Sequence, residues 1–520
     1  MIQASLVEEI KDARLYTIMV DEVTSNNTEL MPLCVRFVDS ELNIREELLQ
    51  ICTLPRITGH HIATAIKQVL LSLGIAIEGC RGQGYDGSAN MSSETVGVQA
   101  LIRQDAPKAV YTHCSGHCLN LVIAHSCSLP IVRNTLDRIK ATVMFFTNSP
   151  NRELLLREVA TQGGHPMGLR QPLIDVCRTR WAARHDAYSH FYTSFTHIVK
   201  ALEVIGLRLH LEDYSEDVTT GWDGKYRTEA SGLLSGVVKF EFIVTFLTVY
   251  QTLSHLAGMT VKLQSTTLDI VRAYQMVEDI KAVYSSLREN IAVHFTKIYD
   301  QAVRMAAAVD VEPAKPRGHC AVRQTHRSNA PAETAEEYYL RNMAIPLVDH
   351  VVTELDSQFS RLSVVSSSLL GLVPSVLLQE DIDIAGALEL YRDDLPTPEL
   401  FDQELACWRL KWQRKSDCAE QIPATCAATI QECDPVLFPN MFMLLKVACT
   451  LPVTSCECDR SASTLRRLNT FMRASMGEER LSSLALIHTH YDKPIDLDKA
   501  VDLFAKLHPR KMELINVLTA

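Results

Sequence analysis

LYTIMVDEVT, residues 15–24, is the stretch around which the chain is organised. Its run of Tyr, Thr, Ile and Val side chains is too short for a helix and predicts a buried strand. The strand ends in Asp21-Glu22, so a carboxylate leaves the sheet edge there. GYDGSANMS (84–92) repeats the arrangement. A short strand over 78–85 ends at Asp86, between glycines that permit a tight turn. A third acid, Asp459, lies in CECDRS (456–461), where an amphipathic helix opens. Three carboxylates drawn from two early strands and one late helix suit a pair of divalent cations. Such ions activate water and stabilise both oxygens of an in-line phosphoryl displacement. Spacing alone does not single out these three among 62 acidic residues. Asp at a strand end serves equally well as a turn former or cap.

The 520 residues exceed one ordinary domain, so two or three are expected. With 47% hydrophobic and 22% charged residues the composition is globular rather than disordered. A net charge of −11 speaks against broad, non-specific nucleic-acid binding, which needs a basic footprint; a local basic groove is compatible with it. Weak DNA binding by this chain alone is therefore expected. The start, MIQASLVEEIKDARL, is amphipathic and charged rather than a secretory signal, so the 15 cysteines are expected to be reduced and buried. No C-x-x-C pair occurs, which argues against a finger-type zinc site. The longest uncharged run, 242–261, holds Gln251, Ser254 and His255 and reads as a buried core helix, not a membrane span.

Along the chain, a helix over 1–14 precedes strands at 15–23, 30–39 and 42–52, the last amphipathic and a candidate edge. Helices follow at 59–73 and 88–103, with a short strand at 109–112 delivering Cys114 and His117. Helices broken at Pro130 cover 119–146. From about 182 to 425 the 3.6-residue period prevails, with long runs at 186–208, 231–259, 266–310 and 335–361. A Pro- and Arg-rich stretch, 312–333, reads as an exposed loop. Helices return at 438–449, 459–474, 479–491 and 497–507. Leu481, Leu484, Ala485, Ile487 and His488 form an apolar stripe there.

Cys114-x-x-His117, flanked by His113 and Cys118, supplies enough ligands for zinc by count, but a fourth ligand in tetrahedral geometry is not evident from the spacing. A structural role is the alternative. Arg180-Trp181 opens the helical region, where Trp is equally a core side chain at a junction. Arg409, Lys411, Arg414 and Lys415 form a weak basic cluster diluted by Trp412.

YTIMVDEVTSNN, GYDGSANMS, Cys114-x-x-His117, Arg180-Trp181 and ERLSSLALIHTHY occur in this order over nearly the whole chain. Together they resemble hAT-superfamily transposases and their domesticated vertebrate relatives, including zinc-finger MYM-type proteins with hAT bodies. The resemblance implies an α/β fold: an RNase H-like catalytic core split by a large all-helical insertion, with C-terminal hAT dimerisation helices. It implies a first core segment at 1–181, the insertion at 182–425, and a last segment at 426–520 with the dimerisation region at about 435–492. It assigns Asp21, Asp86 and Asp459 as catalytic residues holding Mg²⁺ or Mn²⁺. Asp459 stands where the family carries Glu, one methylene longer. The resemblance also implies that Arg180, Trp181, Cys114 and His117 lie near bound DNA, with Trp181 stacking on a flipped base. Relatives commonly carry an N-terminal zinc finger, which is not legible before residue 15. The expected function is that of a nuclear, transposase-derived homodimer with a degenerate cleavage site, possessing no membrane segment. The alternative is a domesticated, non-catalytic interaction protein or transcriptional regulator.

Overall fold

The computed structural model describes residues 1–162, 173–174, 181–207, 221–263, 269–316, 330–359, 364–380, 382–468 and 476–507. These form two compact units. One combines 1–114, 266–273 and 362–520; the other combines 115–265 and 274–361.

The first unit opens with α1 (Ile2–Ala13), β1 (Tyr16–Val20), β2 (Val23–Ser25), β3 (Thr28–Val38) and β4 (Ile44–Leu54). Then come α2 (Gly59–Ser72), β5 (Cys80–Tyr85), α3 (Val98–Asp105) and β6 (Val110–His113). β4, β3, β1, β5 and β6 lie side by side in that order. β4, β3 and β1 are antiparallel neighbours, whereas β1, β5 and β6 run parallel. β4 pairs with β3 alone and is an edge, as its amphipathic pattern predicts.

The expected strand 15–23 is interrupted. β1 and β2 follow β3 in a single register, Val20 opposite Leu33 and Val23 opposite Leu30. The gap falls opposite Pro32, which brings no N–H to the ladder. Asp21 and Glu22 leave the sheet at that gap. The expected helix 88–103 is also broken, into Ala89–Ser92 and α3. Gly97 sits between them, where an added Cβ would lie 2.6 Å from the Ser93 backbone.

Both faces of the sheet are covered, so β1 is buried throughout rather than alternating. Ile18 and Val20 pack with Ile62, Ile66 and Ile102 from α2 and α3. Met19, pointing the other way, packs with Cys34, Leu48 and Ile51 against C-terminal residues. Those residues come from α7 and α8 of a series: α4 (Phe401–Asp417), α5 (Cys426–Gln431), α6 (Pro439–Thr450), α7 (Cys456–Leu468), α8 (Glu478–Thr489) and α9 (Leu497–Leu507).

Two buried carboxylates tie this series down. Glu404 accepts the Asn440 N–H at 3.2 Å and the Met441 N–H at 2.7 Å, capping α6. Asp269 accepts the Arg272 N–H at 3.0 Å and also the Cys426 N–H that opens α5. One side chain thus serves two helix N-termini.

The second unit contains helices and no strand among its described residues. Helix Phe240–Ser254 is its centre, with Phe242 and Phe246 meeting Phe191 edge-on at 6.2 and 5.3 Å between centroids. The uncharged run is therefore core over 242–253, while His255, Gly258 and Val261 beyond it are exposed. No single helix among the described residues is long and apolar enough to cross a membrane. The long periodic runs are subdivided: 231–259 breaks around Lys239 and His255, and 266–310 at Asn290.

Candidate functional site

β1 and β5 are parallel, with Met19 opposite Gly84. Two residues on, Asp21 and Asp86 leave neighbouring strands at the same end, where adjacent strands are ~4.8 Å apart. The Asp21 carboxylate accepts the Glu22 N–H at 3.0 Å. The Asp86 carboxylate accepts the Ser88 N–H at 3.1 Å, and its carbonyl accepts the Tyr111 hydroxyl at 2.8 Å. Each aspartate therefore also performs the turn-forming role common at strand ends.

The C-terminal segment reaches this corner because β5 has glycine at 82 and 84, the positions that face it. A Cβ on Gly82 would lie 3.0 Å from Pro452, and one on Gly84 would lie 3.1 Å from it. Pro452 lies directly on the strand in consequence. Beyond it, the Ser455 N–H meets the Cys114 sulfur at 3.2 Å, while the Cys114 N–H donates to the Tyr85 carbonyl at 2.9 Å. α7 starts there. Burial pushes the Cys458 thiol far up, and the Cys34 thiol and the Asp21 and Glu457 charges act in the same direction. Cys458, in the first turn of α7, packs with Met19 of β1 and Cys34 of β3. Asp459 belongs to that turn; its side chain lies outside the described residues.

Two acids went unassigned in the sequence reading. Glu22 is half-buried, and burial, then the Asp86 charge and the weaker Glu29 charge, push its carboxyl up to about 7. It stands in the quoted stretch itself, but a residue following a strand gives no sign of which way it turns. Glu457 is buried and raised by that burial, against which Arg460 acts through a hydrogen bond of 2.7 Å. Arg460 in turn lies 3.7 Å from Glu46 of the edge strand. Glu457 is therefore engaged in an ion-pair network on the sheet.

Cys114 is buried and its sulfur is an acceptor. His117 lies on helix Ser115–Ser126 and is half-buried. Arg180 lies outside the described residues, and Trp181 begins helix Trp181–Thr193 with its side chain likewise outside them. Arg317, Arg323, His326 and Arg327 of the basic loop also fall outside. The basic cluster on α4 is not free. Lys411 Nζ sits 4.7–5.3 Å from the ring centroids of Trp412, Trp408 and Phe438 and donates to the Glu432 carbonyl, while Lys415 pairs with Glu432 at 2.8 Å.

Among the described residues no group of three or more His, Cys, Asp or Glu is arranged to hold a metal ion. The donor set at the corner nevertheless fits a hard cation in kind, being all carboxylate oxygen. Burial is the main cause of the raised Glu22 carboxyl there, with the Asp86 charge second.

Residues 1–97 match the ZMYM1/FAM200 RNase-like domain, and residues 433–492 match the hAT family C-terminal dimerisation region. Over 522 residues, 99% of this chain and 66% of the relative, the chain is 31% identical to the human 52 kDa repressor of the inhibitor of the protein kinase. The mouse protein of that name is 31% identical over 523 residues, 99% of this chain and 67% of its own length. This chain thus spans about two thirds of these relatives. It belongs to the hAT-transposase-derived family.

Proposed function

We propose that this chain is a nuclear, self-associating, transposase-derived protein that retains the corner of an ancestral divalent-cation site formed by Asp21, Asp86 and Asp459. In this reading the body is an RNase H-like core divided by a helical insertion. The strand order β4-β3-β1-β5-β6 supports it, as does the discontinuity of the first unit. The observation that carries the site is the register of β1 against β5, which sends Asp21 and Asp86 out at one end of adjacent parallel strands. Bound Mg²⁺ or Mn²⁺ would supply water activation and charge neutralisation for phosphodiester hydrolysis. The chain's contribution is to hold the carboxylates through the Glu22 and Ser88 N–H groups and to close the corner with the first turn of α7.

A regulatory reading without catalysis is favoured by one observation: Asp459 replaces the longer glutamate. A catalytic group misplaced by about 1 Å can cost ~10²-fold in rate. The relatives carry the name of a repressor, which points the same way. The test has two parts. Mg²⁺ or Mn²⁺ is expected to raise the melting temperature of the wild-type chain, and Asp21→Asn or Asp86→Asn to abolish that rise. No rise in the wild type removes the cation site. Metal-dependent nicking of a cognate transposon end by the wild type, lost in Asp86→Asn, establishes catalysis; its absence with cation binding intact leaves the regulatory reading. Self-association is supported by the match over 433–492.

A further inference from the structure

Two side chains of β6 form the bed on which the Asp86 turn lies. Tyr111 stands opposite Gln83 and His113 opposite Tyr85, so both share one face of β6. The Tyr111 hydroxyl donates to the Asp86 carbonyl at 2.8 Å. A Cβ on Gly87 would lie 2.4 Å from the His113 ring, so the turn passes directly over that ring. Glycine leaves the backbone permissive, and a turn built on it needs outside ties to hold one conformation. On the far side, the Ser92 hydroxyl reaches the Gly87 carbonyl at 3.2 Å and the Ser88 carbonyl at 2.9 Å. Beneath, the Gln99 amide donates to the Ser92 carbonyl at 3.0 Å. The Gln83 amide in turn donates to the Gln99 and Ala109 carbonyls at 3.3 and 3.0 Å, joining α3 to the approach to β6. Tyr85 completes the bed: its hydroxyl donates to Gln83 at 3.1 Å, and its ring centroid lies 6.0 Å from that of Tyr111.

We propose that Tyr111 is a positioning residue for the cation site: its hydroxyl fixes the Asp86 peptide, so that the Asp86 carboxylate meets a divalent cation in one orientation; this rests on the cation-site reading above. The acceptor decides the argument. A half-buried tyrosine hydroxyl needs some partner, and a bond to a helix carbonyl would serve packing alone. Here the acceptor belongs to the ligand residue itself. Asp86 is thereby held at two points. The Tyr111 bond sets the plane of the peptide that follows it, and the Ser88 N–H at 3.1 Å sets the carboxylate. The hydroxyl proton is committed to the carbonyl, so Tyr111 acts through Asp86 and not on the cation. Outer hydrogen bonds of this kind orient metal ligands, and their loss commonly weakens metal binding by about 10–100-fold.

The test measures Mn²⁺ binding to the full chain from the free-ion signal in electron paramagnetic resonance, beside the metal-free melting temperature of each variant. Tyr111→Phe keeps the ring and removes only the donor. It is expected to raise the Mn²⁺ dissociation constant by about tenfold or more, with a metal-free melt close to that of the wild type. Val69→Ala trims the core near the end of α2 and serves as the destabilised control. Its melt is expected to fall and its dissociation constant to stay at the wild-type value. Asp86→Asn is expected to abolish binding. A Tyr111→Phe chain that binds Mn²⁺ as tightly as the wild type overturns the proposal and leaves the cation site standing, whatever its melt. Equal weakening in Tyr111→Phe and Val69→Ala assigns the effect to stability and also overturns it. A wild type that binds no Mn²⁺, or binding that survives Asp86→Asn, removes the cation site itself and the proposal with it.

Discussion

Arg36 Nε donates to the Cys449 carbonyl at 3.0 Å, joining the last part of β3 to the end of α6 across 413 residues of sequence. Its Nη1 meets Glu46 of β4 at 2.6 Å. The guanidinium is buried, and it interrupts an otherwise apolar strand for a structural reason: it fastens the C-terminal helices to the sheet. A long apolar strand with one arginine thus marks the place where a distant segment returns.

Removing Arg36 leaves the buried Glu46 with only the longer, 3.7 Å approach of Arg460. Arg36→Met is expected to destabilise the first unit by about 3–5 kcal/mol. Arg36→Met/Glu46→Leu is expected to cost less, since no uncompensated charge remains. Urea unfolding followed by Trp408 and Trp412 fluorescence measures both. A double variant weaker than the single one contradicts the argument.

The close approach of Pro452 to β5 makes a second prediction. Gly84→Val adds bulk where a Cβ is already 3.1 Å from Pro452 and 3.2 Å from Met19. Overpacking of this kind costs about 1–3 kcal/mol. Here it should also lift the 451–455 segment and with it the first turn of α7. Hydrogen exchange should show faster exchange at Ser455, whose N–H meets Cys114. Unchanged protection there means that the segment is held by something other than this approach.

These relationships show what the sequence can and cannot display. The strand end at Val20 is legible because an apolar run stops at an acid, and the one at Tyr85 because glycines flank Tyr85-Asp86. Their juxtaposition is not legible, because register comes from pairing, and pairing depends on residues far apart. The interruption at Asp21-Glu22 falls opposite Pro32, which only the β3 register reveals. Glu22 was missed because its shifted carboxyl arises from burial and from Asp86, neither visible in a linear reading. The α8 stripe was drawn too broadly. Leu481, Ser482, Ala485 and Leu486 face the sheet, while Ile487 and His488 face out, because neighbouring strands and not apolarity alone choose the buried arc.

His490, buried at the end of α8, places Nδ1 3.1 Å from Glu47 and Nε2 3.1 Å from the Leu48 carbonyl. A neutral imidazole has one N–H for two acceptors, so the charged ring fits better. Burial lowers the His490 pKa, but the Glu47 hydrogen bond, the Leu48 carbonyl and the Glu47 charge outweigh it and raise the group overall, against Lys493. Burial raises Glu47, but hydrogen bonds and charge from His490 and Arg45 bring it below its usual value. Arg45 also neighbours Glu9 and Asp39. The His490 contribution is fully present below its unfolded value of 6.5 and is lost as pH rises through the higher folded value. The Glu47 contribution is present above 4.5 and is lost as pH falls through its lower folded value. Stability from this pair should therefore be greatest between those limits. Melting between pH 6 and 9 is expected to fall more in the wild type than in His490→Gln. Parallel pH profiles contradict the assignment.

The two sides of α8 should separate folding from assembly. Leu481 is buried among Met19, Cys34, Leu48 and Ile51, so Leu481→Ala removes core contacts and leaves a cavity. Such changes cost about 2–5 kcal/mol. Ile487 is exposed on the opposite side, so Ile487→Asp should leave the protomer's melting temperature unchanged in dilute solution. At higher concentration, where assembly adds stability by mass action, the same variant should melt below the wild type. Leu484 lies between the two sides and is half-buried, so substitutions there mix the two effects. Calorimetry at two protein concentrations distinguishes them. Leu481→Ala should lower both melts, and Ile487→Asp only the concentrated one. An Ile487→Asp chain that melts early even when dilute would mean that this side chain supports the protomer itself, and the outward side of α8 would then carry no assembly role.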